Sequence, residues 1–307
     1  MITHGLPVYM AERVAQPGCT IAETPVWEPE EARVTWVDAP GSTLYRMTYP
    51  DAAVERIDLS LRVGALALRQ GGGFIASTER GFATLDIICG KAKFEFGKGP
   101  DLAPDWRMND GACDRQGRFW SGSMAPVTSA PGAFGTLFSI GEQSEVVERG
   151  GQFRSQNGLA WSPDGRTMYV SDSNPLKSYV TVHDFDPDSG NFSKGRLFAD
   201  TPSLGGRPDG AAIDVDGCYW IAASDGGRVV RMTPQGRVDA EIRLDVPNPT
   251  NICFIGKDLR TAFLTTLRAG GVGQGGDVYI VRLPYQGLAE PRYRPGSPSA
   301  ISDTPPG

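Results

Sequence analysis

A chain of 307 residues, 40% hydrophobic and 21% charged, carries enough apolar material for a large core, which excludes a disordered polymer. A formal net charge of -6 without a run of about five like charges offers no basic stripe for nucleic acid. No apolar stretch approaches the roughly 18 residues of a bilayer span, and five scattered cysteines without a CxxC pair point to reduced thiols, not to a disulfide framework or structural zinc.

The first residues, "MITHGLPVYMAERV", lack a basic segment followed by a long apolar one, so no signal peptide is expected and the chain reads as cytoplasmic. A strand's worth of chain precedes Glu23, and residues 6–14 are expected to form an outer strand of the last sheet, beside "GDVYIVRL", leaving no open edge there. Beyond this, helix periodicity is scarce, while 39 Gly and 24 Pro suit many short strands joined by tight turns. Six stretches repeat one pattern: "WEPEEARVTWVDA", "LALRQGGGFIAST", "ACDRQGRFWSGSM", "AWSPDGRTMYVSDS", "AIDVDGCYWIAAS" and "CFIGKDLRTAFLTT". Each runs from a strand through a polar turn into a second strand. Just upstream of each stands a punctuating residue, namely Glu23, Ala65, Asn109, Asn157, Asp209 and Asn251, at spacings of roughly 42 to 52 residues.

That recurrence predicts an all-β fold, a six-bladed β-propeller of four-stranded antiparallel blades. It would fill residues 1–307 as a single domain, with the ring closed by the N-terminal strand in the last blade. A two-sheet sandwich supplies short strands too, but gives no reason for six repeats. In a propeller, equivalent positions converge on one axis, so Glu23, Asn109, Asn157 and Asp209 are expected to face one another. Their carboxylates and carboxamides form an all-oxygen set of the kind hard divalent cations prefer. The alternative is that they only cap turns at strand ends.

Other features read more plainly. His4 and His183 lie outside the repeating positions, leaving little for a His-rich zinc site or a Ser-His-Asp triad, and His183 in "VTVHDFD" reads as structural. The glycines of "QGGGF" precede a strand, not a helix, and so form a hairpin turn instead of a phosphate cradle. Trp27, Trp36, Trp120, Trp161 and Trp220 recur at blade positions as packing between sheets; Trp106, beside Arg107, has a second reading as a wall of the pocket mouth. Asp172 and Asp225 follow strand ends and read as acceptors for turn amides.

Taken in order, "AETPVW", "RMNDGACDRQGRFWSGSM", "NGLAWSPDGRTMYVSDS", "RPDGAAIDVDGCYWIA" and "TNICFIG" resemble the gluconolactonase/regucalcin family, the senescence-marker-protein and luciferin-regenerating-enzyme type. The resemblance spans about Glu23 to Thr266. It implies a six-bladed propeller that binds one divalent cation and hydrolyses sugar lactones. Carried over by position, Glu23, Asn157 and Asp209 would be the metal ligands. Asn109 would lie beside them, touching water or substrate, and Arg107 would hold substrate oxygens. Calcium, zinc, manganese and iron(II) all suit the ligands; the implied partner is a small-molecule sugar lactone, with no nucleic acid or membrane, and the protein would be a monomer or small homo-oligomer. Asp209, with one oxygen free, is the expected catalytic residue, taking a proton from attacking water. Two departures bear on specificity. Thr24 stands where the family commonly has Gly, and no acidic residue lies between Met124 and Phe138, where many members carry one toward a sugar hydroxyl. The competing functions are a non-catalytic ligand-binding propeller and an esterase or phosphotriesterase on the same scaffold.

Overall fold

Segments such as "RVTWVD" and "TMYVSD" mix β-branched or aromatic residues with small ones between Gly, Asp and Pro turns, and each becomes a strand. In the computed structural model of the chain, which describes residues 5–271 and 273–296, the strands form six antiparallel sheets arranged as a six-bladed β-propeller. Numbered from the N-terminus, blades 1 to 4 take residues 22–58, 63–96, 107–153 and 156–200. Blade 5 takes residues 207–243 and blade 6 residues 249–282.

Blade 6 has three strands of its own, and the fourth is Glu12–Ala15, antiparallel to Val278–Arg282 with Arg13 opposite Tyr279. Residues 6–14 are not one strand, however. Val8–Met10 runs parallel to the outer strand of blade 5 with Tyr9 opposite Ile242, and the break comes at Ala11, whose amide donates to Arg243 O at 2.9 Å. Tyr9 thereby reaches the core between blades 5 and 6 and meets Tyr285 edge-on, so both outer edges are covered.

Blades are held to one another chiefly by aromatic burial. Trp36, Trp120, Trp161 and Trp220 are fully buried, and Trp120 of blade 3 meets Trp161 of blade 4 with centroids 5.7 Å apart. Truncating such a residue to Ala costs about 3–5 kcal/mol. Trp27 departs from the expectation. It is only half-buried, packs edge-on to Tyr49 and lines a cavity on the axis. In blades 3 and 5 the indole also anchors the hairpin: Trp120 donates to Asp114 and Trp220 to Asp214, each at 2.9 Å, and both aspartates take further turn amides.

One irregularity recurs in all six inner strands. In blade 5, Pro208 pairs with Ala223 but Ala211 pairs with Ile221, so the inner strand has gained one residue. The same offset falls between Glu23 and Val26, Val63 and Ala65, Met108 and Gly111, Asn157 and Ala160, and Pro249 and Asn251. A bulge re-aims side chains and leaves carbonyls unpaired. Hydroxyls of the preceding blade take those carbonyls: Ser77 donates to Asn109 O at 2.8 Å, Ser173 to Pro208 O and Thr250 to Ala22 O. Every blade is thus stitched or bulged at one level along the axis, and the polar residues of the repeat sit at that level.

At the other end of the channel, the chain after blade 6 crosses from blade to blade. Leu288 N donates to Ile213 O, Tyr293 N to Leu68 O and Arg294 N to Gly117 O, at 2.9, 2.8 and 3.0 Å.

Candidate active site

The bulges explain how strand residues come to face the axis. Glu23 precedes Thr24, which holds a φ of 50, a left-handed conformation uncommon for a β-branched residue. Its hydroxyl compensates by bonding both groups of Leu66 in blade 2, accepting from the amide at 2.9 Å and donating to the carbonyl at 3.4 Å. Asn157 precedes Gly158, whose φ of 61 needs no such support. Asp209 precedes Gly210, where a Cβ would fall 2.0 Å from Asn251 Cγ. The missing side chain lets Asn251 approach, and Asn251 in turn bonds the Glu23 carboxylate.

Glu23, Arg107, Asn109, Asn157 and Asp209, drawn from four blades, all line one cavity of about 240 Å³. A hydrogen-bonded chain runs along its wall. Arg107 Nη1 donates to Asn109 Oδ1 at 2.7 Å, and Asn109 Nδ2 donates to Gln156 O at 2.7 Å and to Asn157 Oδ1 at 3.2 Å. Asn157 Nδ2 donates to Ser173 Oγ at 2.7 Å. With its amide nitrogen held by Ser173, Asn157 turns its oxygen toward Asn109 and the cavity.

Charge is unbalanced here. Burial pushes the Glu23 carboxyl well above the ordinary range, and the nearby charges of Asp209 and Asp110 push it further. Burial and Asp110 do the same to Asp209, against a smaller opposing pull from Arg207. Burial also raises Asp110, to about 6, although the amides of Gly111, Gly158 and Leu159 favour its charged form. Among the described residues none of the three carboxylates forms a salt bridge. Glu23 is tied down by the Thr24 amide and Asn251, whereas Asp209 carries no comparable hydrogen bond on its carboxylate. Two carboxylates without a salt-bridge partner and a carboxamide oxygen on one cavity wall form a donor set that a hard divalent cation fits, and its charge is the one the cluster lacks.

The remaining expectations fare unevenly. In blade 2 the bulge falls at Gly64, and Ala65, which pairs with Ser77, presents no functional group. Trp106 is half-buried and does not line the cavity. Asp172 accepts turn amides of Arg154, Ser155 and Asn174, but Asp225 instead holds the Arg207 guanidinium through both carboxylate oxygens. Arg207 lines the cavity, and a long guanidinium there recruits the nearest carboxylate. His183 is buried between Thr181 and Ser193 O, and His4 lies outside the described residues. Sequence reasoning missed Asp110, Arg62 and Glu79, which also line the cavity. Asp110 had a signal: it is the second letter of "NDG", and a bulge presents two successive residues near the axis.

Fold and site together define a six-bladed propeller with an oxygen-rich pocket at one end of its axis. The chain belongs to the SMP-30/gluconolactonase/LRE-like family, a sugar lactone hydrolase family, whose characteristic region matches residues 21–268. It is 36% identical over 287 residues to the 6-deoxy-6-sulfogluconolactonase of Pseudomonas putida, covering 91% of this chain and 97% of that protein. It is 32% identical over 281 residues to the regucalcin of Homo sapiens, covering 90% and 91%. A solved calcium-binding protein, regucalcin from Agrobacterium tumefaciens, shares the fold with a TM-score of 0.84 at 22% identity, covering 94% of this chain and 99% of that one.

Proposed function

We propose that this protein hydrolyses a sugar (aldono-) lactone to the sugar acid with the help of one divalent cation held by Glu23, Asn157 and Asp209. The observation that carries the reading is a pair of carboxylates without a salt-bridge partner, half-buried Glu23 and buried Asp209, sharing a small cavity with Asn157 and Arg107 in a chain of this family. The lactonase activity named for the Pseudomonas putida relative and the calcium binding named for the Agrobacterium tumefaciens protein support it. Calcium, zinc, manganese and iron(II) remain the candidate ions.

When bound, the cation supplies Lewis-acid polarisation of the lactone carbonyl. The chain's own residues do the rest. Arg107 presents fixed donors to ring or hydroxyl oxygens, and Asn109 both donates and accepts beside it. Asp209, free of hydrogen bonds on its carboxylate, takes a proton from the attacking water as the new C–O bond forms. The ring C–O bond then breaks, its oxygen takes back that proton from Asp209 and leaves as a hydroxyl, and the carboxylic acid remains. A cavity of about 240 Å³ suits one sugar ring.

The test is proton release over a panel of aldonolactones with several divalent metals, corrected for spontaneous opening. Cation-dependent turnover of at least one lactone is expected. Full activity after chelation, or binding of sugars without turnover, would overturn the reading in favour of an esterase of another mechanism or a binding propeller.

A further inference from the structure

Two arginines that line the upper cavity, Arg107 and Arg62, form no salt bridge among the described residues. Arg107 gives its guanidinium to the Met108 carbonyl at 3.0 Å and to Asn109 Oδ1 at 2.7 Å, both neutral acceptors, and reaches Met124 Sδ at 4.0 Å. Arg62, exposed and lining the same cavity, has no ion pair among the described residues. Burial is the main force lowering the Arg107 pKa; the Glu23 charge pulls it back up, and Arg62 opposes it by less. The third cavity arginine, Arg207, differs: Asp225 holds it through both oxygens. Nor does a neighbouring loop supply an acid, since "APVTSAPGAF" between Met124 and Gly135 has none. Glu79 is the one carboxylate on the rim, and it pairs with neither arginine. Of the deeper carboxylates, Glu23 and Asp209 are the proposed cation ligands, and Glu23 acts on Arg107 by charge alone, without a salt bridge.

Arg107 is partly withdrawn from water and bonded only to neutral acceptors, so an anion entering the cavity would relieve it, and Arg62 on the same lining offers a second donor fork. Guanidinium forks match the oxygens of carboxylate, phosphate and sulfonate groups in pairs, and such charge-assisted bonds are about twice as strong as neutral ones. We propose that Arg62 and Arg107 form an anion subsite, so that the lactone this protein opens carries an anionic substituent on the end of the sugar away from the carbonyl. The proposal rests on the lactonase reading for the word lactone, but the anion subsite itself is a property of the cavity. In this arrangement the cation end takes the ester carbonyl and the arginine end takes the sulfonate, phosphate or carboxylate. Orientation of the ring follows from the separation of the two charges.

The experiment has a binding arm and a turnover arm. Calorimetry on the cation-loaded protein compares gluconate with 6-phosphogluconate and with its 6-sulfonate counterpart. Proton release compares gluconolactone with the lactones of the same two acids and with glucarolactone, which carries a carboxylate. The expected result is about tenfold or greater preference for the anionic members in both arms, weakening as salt rises from 50 to about 300 mM. Arg62→Ala should collapse that preference by about tenfold, mainly through KM, and Arg62→Lys should restore part of it. The ranking among phosphate, sulfonate and carboxylate identifies the source of the anion. Equal binding of gluconate and its anionic relatives overturns the subsite whether or not any lactone is opened. Failure to open any lactone, with the binding preference intact, overturns only the lactonase reading. Equal loss of neutral and anionic ligands in Arg62→Ala also overturns the subsite, because a general distortion would then explain it.

Discussion

Among the described residues the propeller axis holds two cavities, and the larger carries fewer converging polar groups. The upper one, about 240 Å³, gathers Glu23, Asp209, Asn157 and Arg107 at the level of the six bulges. The lower one, about 460 Å³, is walled largely by apolar side chains such as Val26, Leu66, Ile252 and Phe254, and the C-terminal strap crosses it. Asp110 touches both, so a single layer of bulged backbone separates them. Volume alone would choose the lower end, away from the proposed site. What marks the upper cavity is a set of polar groups that converge without neutralising one another, held in place by hydroxyls from neighbouring blades.

The sharpest way to break that contrast is to remove one carboxylate from the upper cavity. Asp209→Asn keeps size and position but loses a charge and the proposed base. It should fold normally, bind the cation more weakly, and lose turnover by about 10²- to 10⁴-fold even with saturating metal. Glu23→Gln should lose cation affinity comparably yet recover much more activity at high metal, because Glu23 accepts no proton in the reaction. Calorimetric metal titration with proton-release kinetics separates the two. Equal, full rescue of both variants would leave the ligands standing and remove the base role from Asp209.

The pattern of that cavity was half legible in the sequence. Composition, spacing and turn residues were enough for six blades, because each blade repeats one hydrophobic hairpin. They were enough, too, to choose Glu23, Asn109, Asn157 and Asp209 as residues near one axis. The bulges were not legible, since a bulge is a one-residue offset between two paired strands and neither strand reveals it alone. For that reason neither the bulge at Gly64 nor the exposure of Asp110 beside Asn109 to the cavity is apparent from the sequence. The split of residues 6–14 between two blades was equally hidden, because Tyr9 and Arg13 choose their partners through contacts hundreds of residues away. Asp225 was misread because its partner, Arg207, becomes its neighbour only across a folded hairpin.

A milder intervention tests whether substrate and cation are held by different residues. Arg107→Ala should raise KM for a hydroxylated lactone by about tenfold while leaving cation affinity nearly intact, since guanidinium cannot ligate a cation. Loss of metal as complete as in a Glu23 variant would show that the two functions are not separable in this cavity.

Smaller still is the expected effect of the stitching hydroxyls. Ser173 accepts the Asn157 amide at 2.7 Å and donates to the bulged Pro208 carbonyl. Ser173→Ala leaves both buried groups without a partner, which costs about 1–3 kcal/mol. Urea unfolding should record that loss, and cation affinity should fall a few-fold as the Asn157 oxygen gains freedom to turn away. Unchanged stability with unchanged affinity would mean that the upper cavity does not depend on its neighbours for its geometry.

The smallest effect should come from the lower cavity, where Glu290 stands on the strap. Glu290 is exposed toward the cavity space, yet the protein around it raises its carboxyl above the ordinary value through burial, with Arg115 opposing. A raised folded-state value means that the unfolded chain gives up this proton first. Between the ordinary carboxylate range and the raised value the native state therefore holds more protons, and stability drains away as pH rises through that window. Below the window both states are protonated and Glu290 contributes nothing. Glu290→Gln stays neutral throughout, so it should be more stable than the parent at pH 8 and indistinguishable from it near pH 4, read as urea midpoints at the two pH values. Lactone turnover should change less than about twofold, because Glu290 touches none of the residues of the upper cavity. A large loss of turnover in this variant, with stability intact, would erase the distinction between the two ends of the axis and make the strap part of the reacting site.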